Sequence, residues 1–280
     1  MTRLTRRGFL GTAGIVAAAP ALEAMAAQST SPSASISVEK DVVYGKGGAM
    51  DLRLDVYRPR PGSEKRVATI HLHGGGFAGG NKETLTERVR PFAAQGYTAI
   101  ASQYRLTGQA SWPAMIEDVK TAIRWTRANA SRLGIDPARI VIVGYSAGGY
   151  LALTAAGTQN RADLEGSGGN PGVGTQVAGC LAYYAVTAMG PPPSPSATTY
   201  VTAAFPPTVL FHGVADTTVP IESSQRFFQL LRDAKVPSEF HSFAGAPHIF
   251  DRVPEYASAC AQVADVFLDR HVINPRPFPT

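Results

Sequence analysis

The sequence predicts an α/β protein whose mostly parallel sheet is covered by helices on both faces. Three observations point there. Strand-like apolar runs alternate with segments of helical length from residue 67 to the end of the chain, the order that builds parallel sheets. Residues 140–143 are continuously apolar rather than alternating, as strands buried on both faces are. The chain has 280 residues, 44% of them hydrophobic and 17% charged, enough apolar material for one large core.

The elements follow in order. Residues 42–44, 52–57 and 67–72 have the β-branched, alternating or continuous apolar character of strands, with turn residues at Gly47-Gly48 and in the stretch 59–62 between them. Residues 85–94 read as a helix, 98–104 as a strand and 113–133 as a long amphipathic helix. In the last, Ile116, Val119 and Ile123 recur at helical spacing, Pro113 suits the first turn and Gly134 the position after the last. A strand at 140–143, a helix at 147–156, strands at 177–186 and 208–211, a helix at 223–234, a strand at 239–243 and a helix at 254–271 complete the pattern. There is no internal repeat and no composition break that marks a second domain, so residues 41–275 are expected to fold as one unit.

The N-terminus reads as an address. Thr5-Arg6-Arg7-Gly8-Phe9-Leu10 is followed by an Ala- and Gly-rich apolar stretch and by Ala24-Met25-Ala26, which resembles a twin-arginine export signal with a small-x-small cleavage site. A membrane anchor needs about 20 unbroken apolar residues, and Pro20 and Glu23 interrupt this one. A signal over residues 1–26, a flexible stretch over 27–40 with five Ser and one Thr within 27–37, and an exported, periplasmic or secreted product without a stable membrane anchor are the expectation. The formal charge of +5 and a pI near 9.3 belong partly to the arginines of that signal. No basic run is interleaved with aromatics, which sets nucleic acid aside. Cys180 and Cys260 are too few for a disulfide framework or a cysteine zinc site and read as buried free thiols.

Two motifs carry chemistry. In Val141-Ile142-Val143-Gly144-Tyr145-Ser146-Ala147-Gly148-Gly149 an apolar strand runs through G-x-S-x-G into a helix. A serine on so sharp a turn needs strained torsions, and Gly144 and Gly148 remove the side chains that would collide. The helix starting there aims its amides and positive dipole end at developing negative charge. G-x-S-x-G alone is weak evidence; its strand and helix flanks favour Ser146 as a nucleophile. The second motif is His73-Gly74-Gly75-Gly76-Phe77, directly after a buried strand. A turn needs one glycine, whereas backbone amides that must approach an oxyanion explain three, each such donor being worth roughly 3 kcal/mol in a transition state. A phosphate loop lacks its Lys-Ser/Thr ending here, and a metal site on His71 and His73 lacks a third ligand. His73 is expected to brace the loop.

Together these motifs resemble the α/β-hydrolase fold serine esterases, in particular the hormone-sensitive-lipase-like carboxylesterases and the small bacterial feruloyl and acetylxylan esterases. The similarity runs from about Val42 to the last helix and includes Tyr104-Arg105-Leu106 and Gly134-Ile135-Asp136-Pro137. It implies a chain order of Ser, acid, His. His248, in the loop before the last helix, takes the family's place for the base. Asp216, in His212-Gly213-Val214-Ala215-Asp216-Thr217-Thr218-Val219-Pro220, takes that of the acid, with Glu222 and Asp251 as substitutes if Asp216 is only a turn residue. His212, His241 and His271 are expected to be structural or exposed. The implied oxyanion donors are the amides of Gly75, Gly76 and Ala147, with no cofactor and no metal.

Two departures from the family refine the expectation. Only about a dozen residues lie between the expected cleavage site and the first expected strand, and residues 187–207 contain six prolines, which cannot build a helical lid. An open cleft with little or no lid suits a short acyl group on a small molecule or displayed on a polysaccharide, and leaves little apolar surface for a long chain. An amide or peptide hydrolase of the same fold, and a non-catalytic binding protein on this scaffold, are the rival readings.

Overall fold

A computed structural model describes residues 35–159 and 161–278. The expected export signal over 1–26 lies outside the described residues. Eight strands form one sheet: β1 (Ser37–Gly47), β2 (Met50–Arg58), β3 (Ala68–Leu72), β4 (Thr98–Ser102), β5 (Ile140–Tyr145), β6 (Gly179–Tyr183), β7 (Thr208–Gly213) and β8 (Ser238–Phe243). Their spatial order is β1-β2-β4-β3-β5-β6-β7-β8. The first two pairings, β1 with β2 and β2 with β4, are antiparallel; every other is parallel. The α/β-hydrolase fold expected from sequence is the fold observed.

Helices α1 (Thr86–Ala94) and α6 (Pro254–Leu268) cover one face. Helices α2 (Ala114–Ala128), α3 (Ala130–Leu133), α4 (Ala147–Gly157) and α5 (Glu222–Asp233) cover the other. The two cores divide β5 between them by its period of two: Ile140 and Ile142 join α2 and α4 residues, while Val141, Val143 and Tyr145 join α1 and α6 residues. Cys180 on β6 and Cys260 on α6 are free and buried in these opposite cores, so the sheet itself separates them.

Several boundaries differ from those expected. β1 begins at Ser37, inside the stretch 27–40 that composition marks as flexible, because Ser37 and Val38 pair with Arg58 and Tyr57 of β2. The helix expected over 113–133 breaks at Asn129, whose side-chain amide bonds back to the Trp125 carbonyl, and Gly134 ends the second piece in the left-handed conformation at φ 68°. The strand expected over 177–186 is only β6, since the chain leaves the sheet at Tyr184 with φ 36°. The strand expected over 98–104 ends at Ser102.

The polar face of α2 is buried as well. Lys120 donates to the Thr158 carbonyl and to Glu165, and Arg124 donates to the carbonyls of Glu165 and Gly169. An amphipathic pattern reads that face as solvated, but the loop after α4 covers it and satisfies its charges.

Within the proline-rich stretch 187–207 the one element is a 3-10 turn at Ala197–Tyr200. No lid helix forms there. β3, β5, β7 and β8 all run parallel and end on one edge of the sheet, where α/β proteins place their ligands.

Candidate active site

Ser146 occupies the sharp turn between β5 and α4, at φ 55° and ψ −116°. A non-glycine residue at such torsions is strained by about 1–3 kcal/mol, and it persists only where its surroundings hold it. Here the Ser146 amide donates to the Tyr183 carbonyl of β6 at 3.0 Å. A Cβ at Gly144 would meet the Gly148 carbonyl oxygen at 2.1 Å, and one at Gly148 would meet the Leu72 and His73 carbonyl oxygens at 2.2 and 2.4 Å. Both glycines are steric requirements of the turn.

The loops after β7 and β8 bring two further side chains to Ser146. Ser146 Oγ lies 3.0 Å from His248 Nε2, and His248 Nδ1 lies 2.6 Å from Asp216 Oδ2. A carboxylate only accepts, so Nδ1 carries the proton and Nε2 offers its lone pair to the Ser146 hydroxyl. The other oxygen, Asp216 Oδ1, accepts from the amides of Thr218 and Val219, both at 2.9 Å. Burial pushes the Asp216 carboxyl up, but the bonds from His248 and the two amides outweigh it and hold the group below the usual carboxylate range. Asp216 is therefore charged at neutral pH and oriented from both sides.

Gly75 and Gly76 follow β3 at φ 119° and 61° and are exposed beside Ser146. Among the described residues no carbonyl accepts from either amide. Ala147 opens α4, and the first amide of a helix has no partner within it. His73 braces this loop as expected: its Nδ1 donates to the Gly74 carbonyl at 2.8 Å, and its ring stacks on Tyr104 at 4.3 Å. The Tyr104 hydroxyl donates to the His73 carbonyl at 2.6 Å, which gives the tyrosine of Tyr104-Arg105-Leu106 a role in fixing the glycines. Gly75, Gly76, Ser146 and His248 line one cavity of about 520 Å³.

The remaining candidates fall elsewhere. His212 is buried, bonded to Ser224 and the Val219 carbonyl, and sits 3.2 Å behind Asp216. His241 pairs with Glu239, and His271 packs on Phe267. Glu222 is exposed in the first turn of α5, while Asp251 is buried against Arg88, so neither substitutes for Asp216. Sequence reasoning missed that Arg88–Asp251 pair and its partner Tyr184, whose ring stands edge-on to His248 at 4.6 Å. Arg88 is far from Asp251 in the chain, and no local pattern marks either.

Buried imidazoles give the fold an acid weakness. His71, fully enclosed between Thr69 and Tyr145, is pushed down to about 3 by burial and by the nearby Arg88 charge, and burial also pushes His73 and His212 down. Below the unfolded value of 6.5 the unfolded chain takes up a proton that folded His71 refuses. Stability is therefore full above that pH and falls on acidification toward about 3, by up to about 1.4 kcal/mol per pH unit for this residue. Urea unfolding of wild type and His71→Gln at pH 7 and 5 checks this. The variant is expected to lose less stability between the two pH values, and equal losses would remove His71 as a cause.

Residues 54–194 match the BD-FAE family, and residues 193–272 match the prolyl oligopeptidase family. The chain is 29% identical over 270 residues to the probable carboxylic ester hydrolase LipM of Mycobacterium tuberculosis, covering 82% of this chain and 62% of that protein. It is 30% identical over 243 residues to esterase LipQ of the same organism, covering 75% and 57%. The chain thus spans about 60% of the length of the curated relatives it matches. Among solved structures it resembles an esterase of Thermogutta terrifontis, Est2, with propionate bound: TM-score 0.73, 28% identity, 88% of this chain and 97% of that one. On this sequence match and this fold, the chain belongs to the BD-FAE family of α/β-hydrolase proteins.

Proposed function

We propose that the protein is a serine hydrolase that cleaves carboxylic esters through an acyl-enzyme. The observation that carries this reading is the hydrogen-bonded row from Ser146 Oγ through His248 to Asp216. Ser146 attacks the ester carbonyl as His248 Nε2 takes its proton, and Asp216 stabilises the imidazolium. The amides of Gly75, Gly76 and Ala147 donate to the oxyanion. Collapse expels the alcohol, which takes its proton from His248; water then cleaves the acyl-enzyme by the same steps. Each proton moves between groups of this chain, substrate and water.

The substrate class in this proposal is a short acyl group, on a small alcohol or on a polysaccharide. The absence of a lid helix over 187–207 supports it, and the similar Thermogutta esterase has been solved with propionate and with butyrate bound. Magnitudes decide the test. A cleft that buried the four extra methylenes of octanoyl would favour it over butyryl by about 3 kcal/mol, whereas an open one gives no such gain. A panel of acetyl, butyryl, octanoyl and feruloyl esters is expected to show no preference for octanoyl, and faster turnover of octanoyl or longer chains would overturn the short-acyl reading.

The match to the prolyl oligopeptidase family motivates a second reading, amide hydrolysis. That match contains Asp216 and His248, which serve either bond, so matched ester and amide substrates discriminate. We also propose export by the twin-arginine-type signal read in residues 1–26.

A further inference from the structure

The cavity that holds Ser146 carries one charge with no counter-charge. Among the described residues two arginines line it, Arg88 and Arg252, and no Asp or Glu does. The Arg88 charge is answered from behind the wall by buried Asp251, at 2.6 and 3.1 Å. The exposed Arg252 guanidinium pairs with no carboxylate among the described residues.

Its backbone is held. Arg252 ends the 3-10 turn Phe250–Arg252, four residues beyond His248 on the same loop. The turn starts from Ile249 at φ 61°, a left-handed conformation that a β-branched residue adopts only under constraint. Phe250 and Asp251 then point inward, Asp251 bonding to Arg88 and to the Tyr184 hydroxyl at 2.6 Å. With its neighbours fixed inward, Arg252 is left at the cavity mouth, and the Arg252 amide closes the turn on the Ile249 carbonyl at 3.1 Å.

We infer that Arg252 is a specificity residue that selects esters bearing a carboxylate beyond the reacting bond. The inference rests on the ester-hydrolase reading and adds to it the charge of the substrate. A guanidinium presents a planar pair of donors that matches a carboxylate, and a rim charge in a cleft attracts anionic substrate without touching the reacting atoms. The carboxylate belongs either to the acyl part or to the alcohol, and separate substrate pairs distinguish the two.

The acyl pair is 4-nitrophenyl hemisuccinate against 4-nitrophenyl butyrate; the alcohol pair is 3-acetoxybenzoate against 3-acetoxybenzamide. For at least one pair, Arg252→Gln is expected to lower the ratio of kcat/KM, charged over neutral, by about five-fold, the upper range for an exposed ion pair. Arg252→Lys, which keeps the charge, should retain most of the ratio, and added salt should erode it in wild type. Ratios unchanged in both pairs would overturn the inference, since a merely structural arginine would change both members of a pair alike. Should wild type hydrolyse none of the four esters, the hydrolase reading fails by itself. Calorimetric titration of the two charged esters into Ser146→Ala and into Ser146→Ala/Arg252→Gln then decides the charge inference: tighter binding of one of them to the first supports it, and equal binding of both removes it.

Discussion

Ser146→Ala is expected to lower kcat on 4-nitrophenyl acetate by about ten thousand- to a million-fold while leaving the protein folded. The size follows from what the hydroxyl does in the proposed reaction. It supplies the nucleophile, and without it no acyl-enzyme forms, leaving only the rate that oxyanion donors and binding give to attack by water. The stability cost is small, because among the described residues Ser146 Oγ makes one side-chain hydrogen bond, to His248. The strained torsions are common to both residues, since alanine has the same objection to φ 55° as serine. Burst kinetics separate the step from contamination: wild type should release nitrophenol in a burst equal to the enzyme present, and the variant none. A fluorophosphonate probe should label wild type alone. If Ser146→Ala keeps a tenth or more of the activity, the serine is an incidental residue on a glycine-rich turn, and the row of three side chains has another purpose.

The meeting of Ser146, Asp216 and His248 was legible because each sits in a short local pattern of the chain. Gly144 and Gly148 stand where any side chain would strike a carbonyl oxygen, so a five-residue motif with strand and helix flanks already describes the turn. Asp216 and His248 lie in loops directly after β7 and β8, and the resemblance supplied their order. The sheet was legible from its β-branched, alternating or continuous apolar runs. What sequence concealed is contact at long separation. The burial of α2 on its polar face comes from a loop some 40 residues further on, through Lys120 and Arg124. The first residues of β1 look like a flexible terminus by composition, and only pairing with β2 makes them a strand. Arg88 and Asp251 are separated by 163 residues, and each reads as an ordinary surface charge until the fold buries them together.

That pair is the subject of the second large expectation: Asp251→Ala should destabilise the fold by about 3–5 kcal/mol. Arg88 donates to Asp251 through Nε at 2.6 Å and Nη2 at 3.1 Å, and the two side chains retain 8% and 1% of their exposure. Removing the carboxylate strands a guanidinium in the interior, where it cannot shed its proton, and deprives the Tyr184 hydroxyl of its acceptor. The cost is that of the orphaned charge rather than the worth of the pair, since replacing both partners by apolar residues is often neutral. Urea unfolding of Asp251→Ala, Arg88→Met and Arg88→Met/Asp251→Leu tests the argument. Asp251→Ala is expected to be the least stable, with the double variant recovering much of the loss. Activity should follow, because Asp251 lies three residues beyond His248 and anchors Tyr184, whose ring packs edge-on to the imidazole at 4.6 Å. A loss under about 1 kcal/mol, within the range of an ordinary surface pair, would mean that water reaches Arg88.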